Sequence, residues 1–206
     1  MENNQEGSGL KTFIFIGRSG CGKGTQVEQL AEHLKGKGII NSDHAWLRVE
    51  TGAQFRKFAE RDNYSACKLK ESMESGNRLP DCFAIWTWCN YFIENYTGEE
   101  HIFCDGCPRS LLEAQSLDFL FRFYNRKELS VVYLDISKEE ATRRMLARGR
   151  ADDQLEDIEK RLEWFDKDVV PAIEYYRNNS KYKFVEVDGE QTIEKIHEDL
   201  ISMLDV

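Results

Sequence analysis

Residues 13–25 read Phe13-Ile14-Phe15-Ile16-Gly17-Arg18-Ser19-Gly20-Cys21-Gly22-Lys23-Gly24-Thr25. An apolar β-type run enters a glycine-rich turn, and a helical pattern follows with Val27, Leu30, Ala31 and Leu34 on one face. Strand, glycine-rich turn and helix form the setting of a phosphate-binding loop. The glycines let the backbone wrap an anion so that successive N–H groups point at phosphate oxygens. The helix N-terminus adds partial positive charge there, and Lys23 reaches the outer phosphates as a point charge. Gly20, Cys21, Gly22, Lys23, Gly24 and Thr25 are therefore candidates to hold a nucleotide triphosphate. The residue after the lysine is Gly24, so the hydroxyl comes one place later than in the usual loop, at Thr25.

Working outward, apolar β-type runs alternate with helical patterns. Strands are expected at 12–16, 46–50, 101–104, 131–136 and 183–187. Helices are expected at 22–36, 52–60, 65–75, 81–96, 111–124, 138–148, 153–178 and 191–203. Such alternation predicts an α/β fold: a doubly wound, five-stranded parallel sheet with helices on both faces. Ligand would sit at the carboxyl ends of the strands, where the glycine-rich turn lies. Within 81–96, Ile85, Trp86, Cys89, Phe92 and Ile93 recur at helical spacing and predict a core-facing stripe. Leu155, Ile158, Leu162, Phe165 and Val169 predict another, with Glu156, Asp157, Glu159 and Glu163 on a solvated face.

At 206 residues the chain can bury roughly 70% of its unfolded surface, enough for one sizeable core. Its 28 basic residues against 37 acidic ones leave a net charge of -9, which disfavours nucleic acid and anionic membrane as partners. No apolar run is long enough to span a bilayer. The polar stretch 1–9 has no apolar signal core and reads as a disordered tail. Six scattered cysteines suit reduced thiols and a cytoplasmic setting. Cys104-x-x-Cys107 lacks the second pair that a zinc site needs. His33, His44, His101 and His197 show no metal-ligand spacing.

In so acidic a chain, Arg56, Arg109, Arg144, Arg148, Arg150 and Arg161 point to phosphate chemistry, because the planar guanidinium binds phosphate oxygens bidentately. Arg144 and Arg148 lie four apart, on one helix face. Gly22-Lys23-Gly24-Thr25-Gln26 resembles the adenylate kinase family of nucleoside monophosphate kinases, and other segments extend the resemblance over about 11–205. Asp105-Gly106-Cys107-Pro108-Arg109 is similar to the family's Asp-Gly-Phe/Tyr-Pro-Arg, with Cys107 in place of the aromatic. Thr51-Gly52-Ala53-Gln54-Phe55-Arg56 is similar to Thr-Gly-Asp-x-x-Arg, with Ala53 in place of the aspartate. Gly76-Asn77-Arg78-Leu79-Pro80 is similar to the segment that brackets the acceptor base. Gly149-Arg150-Ala151-Asp152-Asp153 is similar to a short lid, here shorter than the usual short form.

The resemblance implies phosphoryl transfer from Mg-ATP to AMP, giving two ADP. Lys23, Arg109, Arg150 and Arg161 would be catalytic, and Arg144, Arg148 and Gly189 would join the loop in binding ATP. Thr51, Gly52, Arg56, Leu79, Gly106, Arg109, Glu113, Arg150 and Arg161 would bind the acceptor. Asp105 would hold Mg2+ through water, and Thr25 is a candidate metal ligand. Asp152 and Asp153 would orient the lid arginines. The family's base-reading Gln, four residues after the Pro-Arg arginine, falls on Glu113. An ionised carboxylate only accepts hydrogen bonds, which alone favours guanine's two adjacent donors. AMP is the acceptor the resemblance implies. A kinase of the same fold for GMP, UMP or CMP, and a non-catalytic P-loop nucleotide-binding module, are the alternatives. The expected organisation is a tail over 1–10 and a single monomeric kinase domain over 11–206. That domain carries an acceptor-binding insert at about 51–80 and a lid at about 149–153.

Overall fold

The computed structural model describes residues 9–41, 46–150 and 153–206. The expected tail up to Ser8, His44 and the lid residues 151 and 152 lie outside the described residues. Five strands form one sheet in the order β2-β3-β1-β4-β5: β1 (Lys11–Gly17), β2 (Trp46–Glu50), β3 (His101–Asp105), β4 (Glu128–Asp135) and β5 (Lys183–Asp188). Every pairing is parallel, with Ile14 opposite Cys104 on one side of β1 and Val131 on the other. The doubly wound fold read from the alternation is the one observed.

β1 is buried on both faces, as a central parallel strand must be. Phe13 and Phe15 point into one core with Val27, Leu30 and Leu34 of α1 (Lys23–Gly36). Ile196 and Leu200 of α9 (Ile193–Leu204) complete that layer. Ile14 and Ile16 point into the other core. There they meet α4 (Asp81–Asn95), α5 (Leu111–Phe123) and α8 (Val170–Arg177) through Trp88, Phe92, Leu117, Phe121 and Tyr176. The period-2 alternation of one apolar strand thus fills two layers. A smaller cluster joins α2 (Thr51–Ala59) and α3 (Tyr64–Glu74) to α4 through Phe55, Leu69 and Ala84. The crevice lies at the strand carboxyl ends, where the connection leaving β1 runs toward β2 and the one leaving β3 runs the other way, toward β4.

Two expectations need correction. The helix read as continuous over 153–178 is α7 (Leu155–Trp164), a π turn (Phe165–Val169) and α8. Pro171 lacks an N–H for the carbonyl four residues back and would clash with it, and the wider turn absorbs that conflict. The core stripes also shift. On α4 the buried residues are Ala84, Thr87, Trp88 and Phe92, while Trp86 and Ile93 are exposed. On α7, Leu155 is exposed at the first turn, and Ile158 and Leu162 carry the packing. The remaining helix, α6 (Lys138–Arg148), is capped by the Ser137 hydroxyl accepting from the Glu140 N–H at 3.2 Å.

Candidate active site

The glycine-rich turn leaves β1 and closes at Gly22, whose φ of 92° is in the left-handed region that glycine tolerates best. α1 then begins at Lys23 with no acidic residue in its first turn, so its N-terminal partial charge is uncompensated. The Lys23 ammonium folds back over the loop, donating to the carbonyls of Gly17 at 2.7 Å and Arg18 at 3.0 Å. Arg18 itself points away from the cleft. Its guanidinium donates to the Ile136 carbonyl at 2.9 Å and to Asp166 at 2.9 Å, and stacks on Phe165 at 4.7 Å. It clamps the loop to the end of β4 and to the π turn.

Arginines from α6 and α7 converge on Asp153, whose side chain is wholly buried. Arg148 donates to both carboxylate oxygens, at 2.9 and 2.8 Å, and Arg161 donates to Oδ1 at 2.8 Å. The backbone N–H of Arg150 adds a bond of 3.0 Å. Burial pushes this carboxyl up, but the hydrogen bonds from Arg148 and Arg161 outweigh it and hold it down to about 2. Arg144 is set by Glu140 one turn back on α6 and by the Gly189 carbonyl at 2.9 Å.

On the opposite wall, Arg109 donates through Nε to the Gly106 carbonyl at 2.8 Å and lies over Phe55 at 5.8 Å. Burial lowers its pKa below the usual arginine value. Arg56 pairs with Glu50 at 2.9 Å. Glu113, in the first turn of α5, is 1% exposed. Its Oε1 lies 3.4 Å from Arg78, and its buried Oε2 has no hydrogen-bond partner among the described residues. Burial raises its pKa, against the opposing charges of Arg109 and Arg78. Arg78 is further tied to Asp81, which the Ser110 hydroxyl reaches at 2.8 Å.

One cleft of about 430 Å³ collects these groups, within the ~300–1,000 Å³ of small-molecule sites. Gly20, Gly22, Lys23, Gly24, Thr25, Gly52, Arg56, Leu79, Asp105, Gly106, Arg109, Glu113, Arg144, Arg148, Arg150 and Arg161 all line it. Three of the residues read from the sequence do not. The Cys21 side chain is buried beneath the loop. Thr51 is buried at the start of α2, its hydroxyl unpartnered among the described residues. Gly189 lies behind Arg144, approached through its carbonyl. Thr25 and Asp105 offer a hydroxyl and a carboxylate to the same cleft, the hard oxygen donors that suit magnesium.

Arg48 and Glu50 line this wall too, and the reading of the sequence passed over both. Arg48 donates to Asp105 at 2.7 Å and to Glu28 at 2.8 Å. Burial opposes its charge, yet the hydrogen bond and charge of Asp105, then Glu28 and Glu50, raise its pKa further above the usual arginine value. The signal was present: two charged residues alternating with apolar ones at the carboxyl end of a parallel strand, where ligands bind.

A strand feeding a phosphate-cradling turn, with arginines on both walls of the crevice beyond it, defines a P-loop nucleotide phosphotransferase. The family model for adenylate kinase matches residues 15–181. An adenylate kinase of Oenococcus oeni is 30% identical over 189 residues, covering 89% of this chain and 93% of that relative. One of Prochlorococcus marinus is 31% identical over 180 residues, covering 87% and 92%. Adenylate kinase 1 of a Nostoc species is 30% identical over 195 residues, covering 95% and 99%. The chain belongs to the adenylate kinase family.

Proposed function

We propose that the cleft transfers the γ-phosphoryl group of Mg-ATP reversibly to AMP, giving two ADP. The observation that carries this reading is the gathering of Lys23, Arg56, Arg109, Arg144, Arg148, Arg150 and Arg161 into one crevice of a chain whose net charge is -9. Phosphoryl transfer between two nucleotides concentrates negative charge, and its catalysis is mainly positioning and electrostatic stabilisation. No side chain serves as a nucleophile, because an oxygen of the AMP phosphate attacks.

The loop from Gly20 to Thr25 cradles the donor phosphates. Lys23 exchanges neutral carbonyl partners for anionic phosphate oxygens, which adds the attraction of opposite charges to the hydrogen bonds. Cys21 contributes through its backbone. Arg144 lies beside the donor adenine with Gly189 behind it, and Arg148 meets the donor phosphates. On the acceptor side Arg56 and Arg109 fix the AMP phosphate, with Gly106 shaping the turn. Gly52, Leu79 and Glu113 surround the base, with Thr51 buried behind them at the start of α2. Arg150 and Arg161 close on the transferring group, held in register by Asp153. Thr25 and Asp105 would hold a magnesium ion, Asp105 through water. When bound, that ion would offset negative charge on the donor phosphates.

In this reading, 11–206 is one catalytic domain, 51–80 is the acceptor insert, and 149–153 is the lid that excludes water. The enzyme works as a monomer on small molecules, with neither nucleic acid nor membrane as partner. Among the described residues no helix is long and apolar enough to cross a membrane. Six unpaired cysteines suit a reducing, cytoplasmic compartment.

Steady-state kinetics test the roles. Lys23→Met should lower kcat by about 10²-fold or more, the scale of losing one preorganised donor. Arg109→Ala should raise KM for AMP far more than for ATP, with a loss of kcat from the misplaced attacking oxygen. Wild-type turnover in a folded Lys23→Met protein, or equal effects of Arg109→Ala on both substrates, would contradict the assignment.

A further inference from the structure

Arg48 has no place in the scheme above, yet it occupies the wall where the metal side of the reaction is assigned. It alternates with buried Leu47 and Val49 on β2, so its side chain emerges on the α1 face of the sheet. One arm of the guanidinium, Nη1, donates to Glu28 Oε1 at 2.8 Å. The other, Nη2, donates to Asp105 Oδ2 at 2.7 Å and lies 3.8 Å from Glu50 Oε2. The buried Nε–H has no partner among the described residues. Gly24 makes room for this approach. A Cβ there would fall 3.0 Å from Arg48 Nη2 and 3.6 Å from Asp105 Oδ2. The guanidinium is therefore packed against the phosphate loop with one arm on the carboxylate assigned to the metal.

We propose that Arg48 is a positioning residue: a resident cation that holds Asp105 and weakens the grip of the cleft on the divalent ion. This rests on the reading of Asp105 as the residue that holds the water shell of that ion. Two physical effects act together. An oxygen already accepting from a guanidinium is a poorer acceptor for metal-bound water. A like charge a few ångströms from a divalent ion also raises its energy. Glu28 and Glu50 keep the guanidinium anchored when Asp105 turns toward the ion, so the cation stays in place throughout. With no metal bound, the same charge offsets part of the nucleotide's phosphate charge. The cleft then depends less on the ion for nucleotide affinity than a site with Asp105 alone would.

The test measures binding, with no turnover. Isothermal titration gives the dissociation constant of an ATP analogue with a β,γ-methylene bridge, in saturating Mn2+ and in EDTA. By linkage, the ratio of the two is the factor by which the protein tightens its hold on the ion. Arg48→Gln should raise that factor about five-fold or more, since it removes a unit charge beside a divalent one. Arg48→Lys, which keeps the charge on the same strand, should stay within about two-fold of wild type on the same reasoning. A damaged wall would weaken both constants and would not raise their ratio, so a gain is not what misfolding produces. A factor unchanged or lowered in folded Arg48→Gln overturns the proposal. If Arg48→Gln does not fold, a shift in Arg48→Lys beyond that range overturns it on its own. Asp105→Asn separates the underlying reading. If the factor is the same with and without that carboxylate, Asp105 does not hold the ion, and the inference falls with it.

Discussion

Replacing Asp153 by Asn keeps the shape of the side chain and removes its charge. Three charge-assisted hydrogen bonds, two from Arg148 and one from Arg161, then lose their ionic partner in a spot where the carboxylate has no exposure. A carboxyl held at about 2 in the fold against 3.8 in the free state corresponds to about 2 kcal/mol at neutral pH. Stranding a buried charge partner costs about 3–5 kcal/mol, but Arg148 is 30% exposed and water relieves part of that. We therefore expect about 2–4 kcal/mol of destabilisation at pH 7, or a Tm lower by ~4–16 °C for a chain of this size. The sign with pH is fixed by the depressed pKa. The stabilisation is fully present above about 4 and is lost as the pH falls through about 2, so the gap between wild type and variant should be roughly halved at pH 3. Urea unfolding of both proteins at pH 7 and pH 3 measures it, and other carboxylates cancel in the difference. An equal gap at both pH values would mean that the variant's loss does not come from the titrating charge, and would refute the ionic account of this cluster.

Two further outcomes are expected. Glu113→Gln gives adenine a donor for N1 and an acceptor for its amine, so kcat/KM for AMP relative to GMP should rise about 10-fold, one mispaired group costing ~1–3 kcal/mol. An unchanged ranking would mean that Glu113 does not face the base. Gly76 has a φ of 67°, and a Cβ there would meet the backbone of Asp157 at 2.8 Å. Gly76→Ala should cost about 1–3 kcal/mol in urea unfolding and raise KM for AMP, because Asn77 and Leu79 follow directly in the cleft wall. A neutral substitution would show that α7 gives way freely at this contact.

The strands and the phosphate loop were legible because their signals are local. An apolar run of period two, a glycine-rich turn and an amphipathic helix each follow from neighbours in sequence. The π turn was less legible, since the helical stripe through Phe165 and Val169 continues across it and only Pro171 marks the break. Trp86, Ile93 and Leu155 were misplaced because periodicity gives a face but not which layer covers it. Trp88, two residues from Trp86, is the side chain the sheet buries. In the site, Arg109 and Lys23 stood out through their motifs. Arg48 did not, because its meaning comes from Glu28 on α1 and Asp105 on β3, far away in the chain. Asp153 was read as orienting the lid arginines, and its bond to Arg161 agrees with that, whereas its hold on Arg148 was not foreseen. Its grip on both Arg148 and Arg161 depends on how α6 and α7 meet, which no local pattern specifies.

The most direct measurement is ADP formation from Mg-ATP with AMP, GMP, CMP or UMP offered one at a time to the purified wild-type chain. The account expects AMP to give the highest kcat/KM, with two ADP formed per turnover and the reverse reaction running from ADP alone. An enzyme that leaves AMP untouched, or that only hydrolyses ATP in its presence, would contradict it.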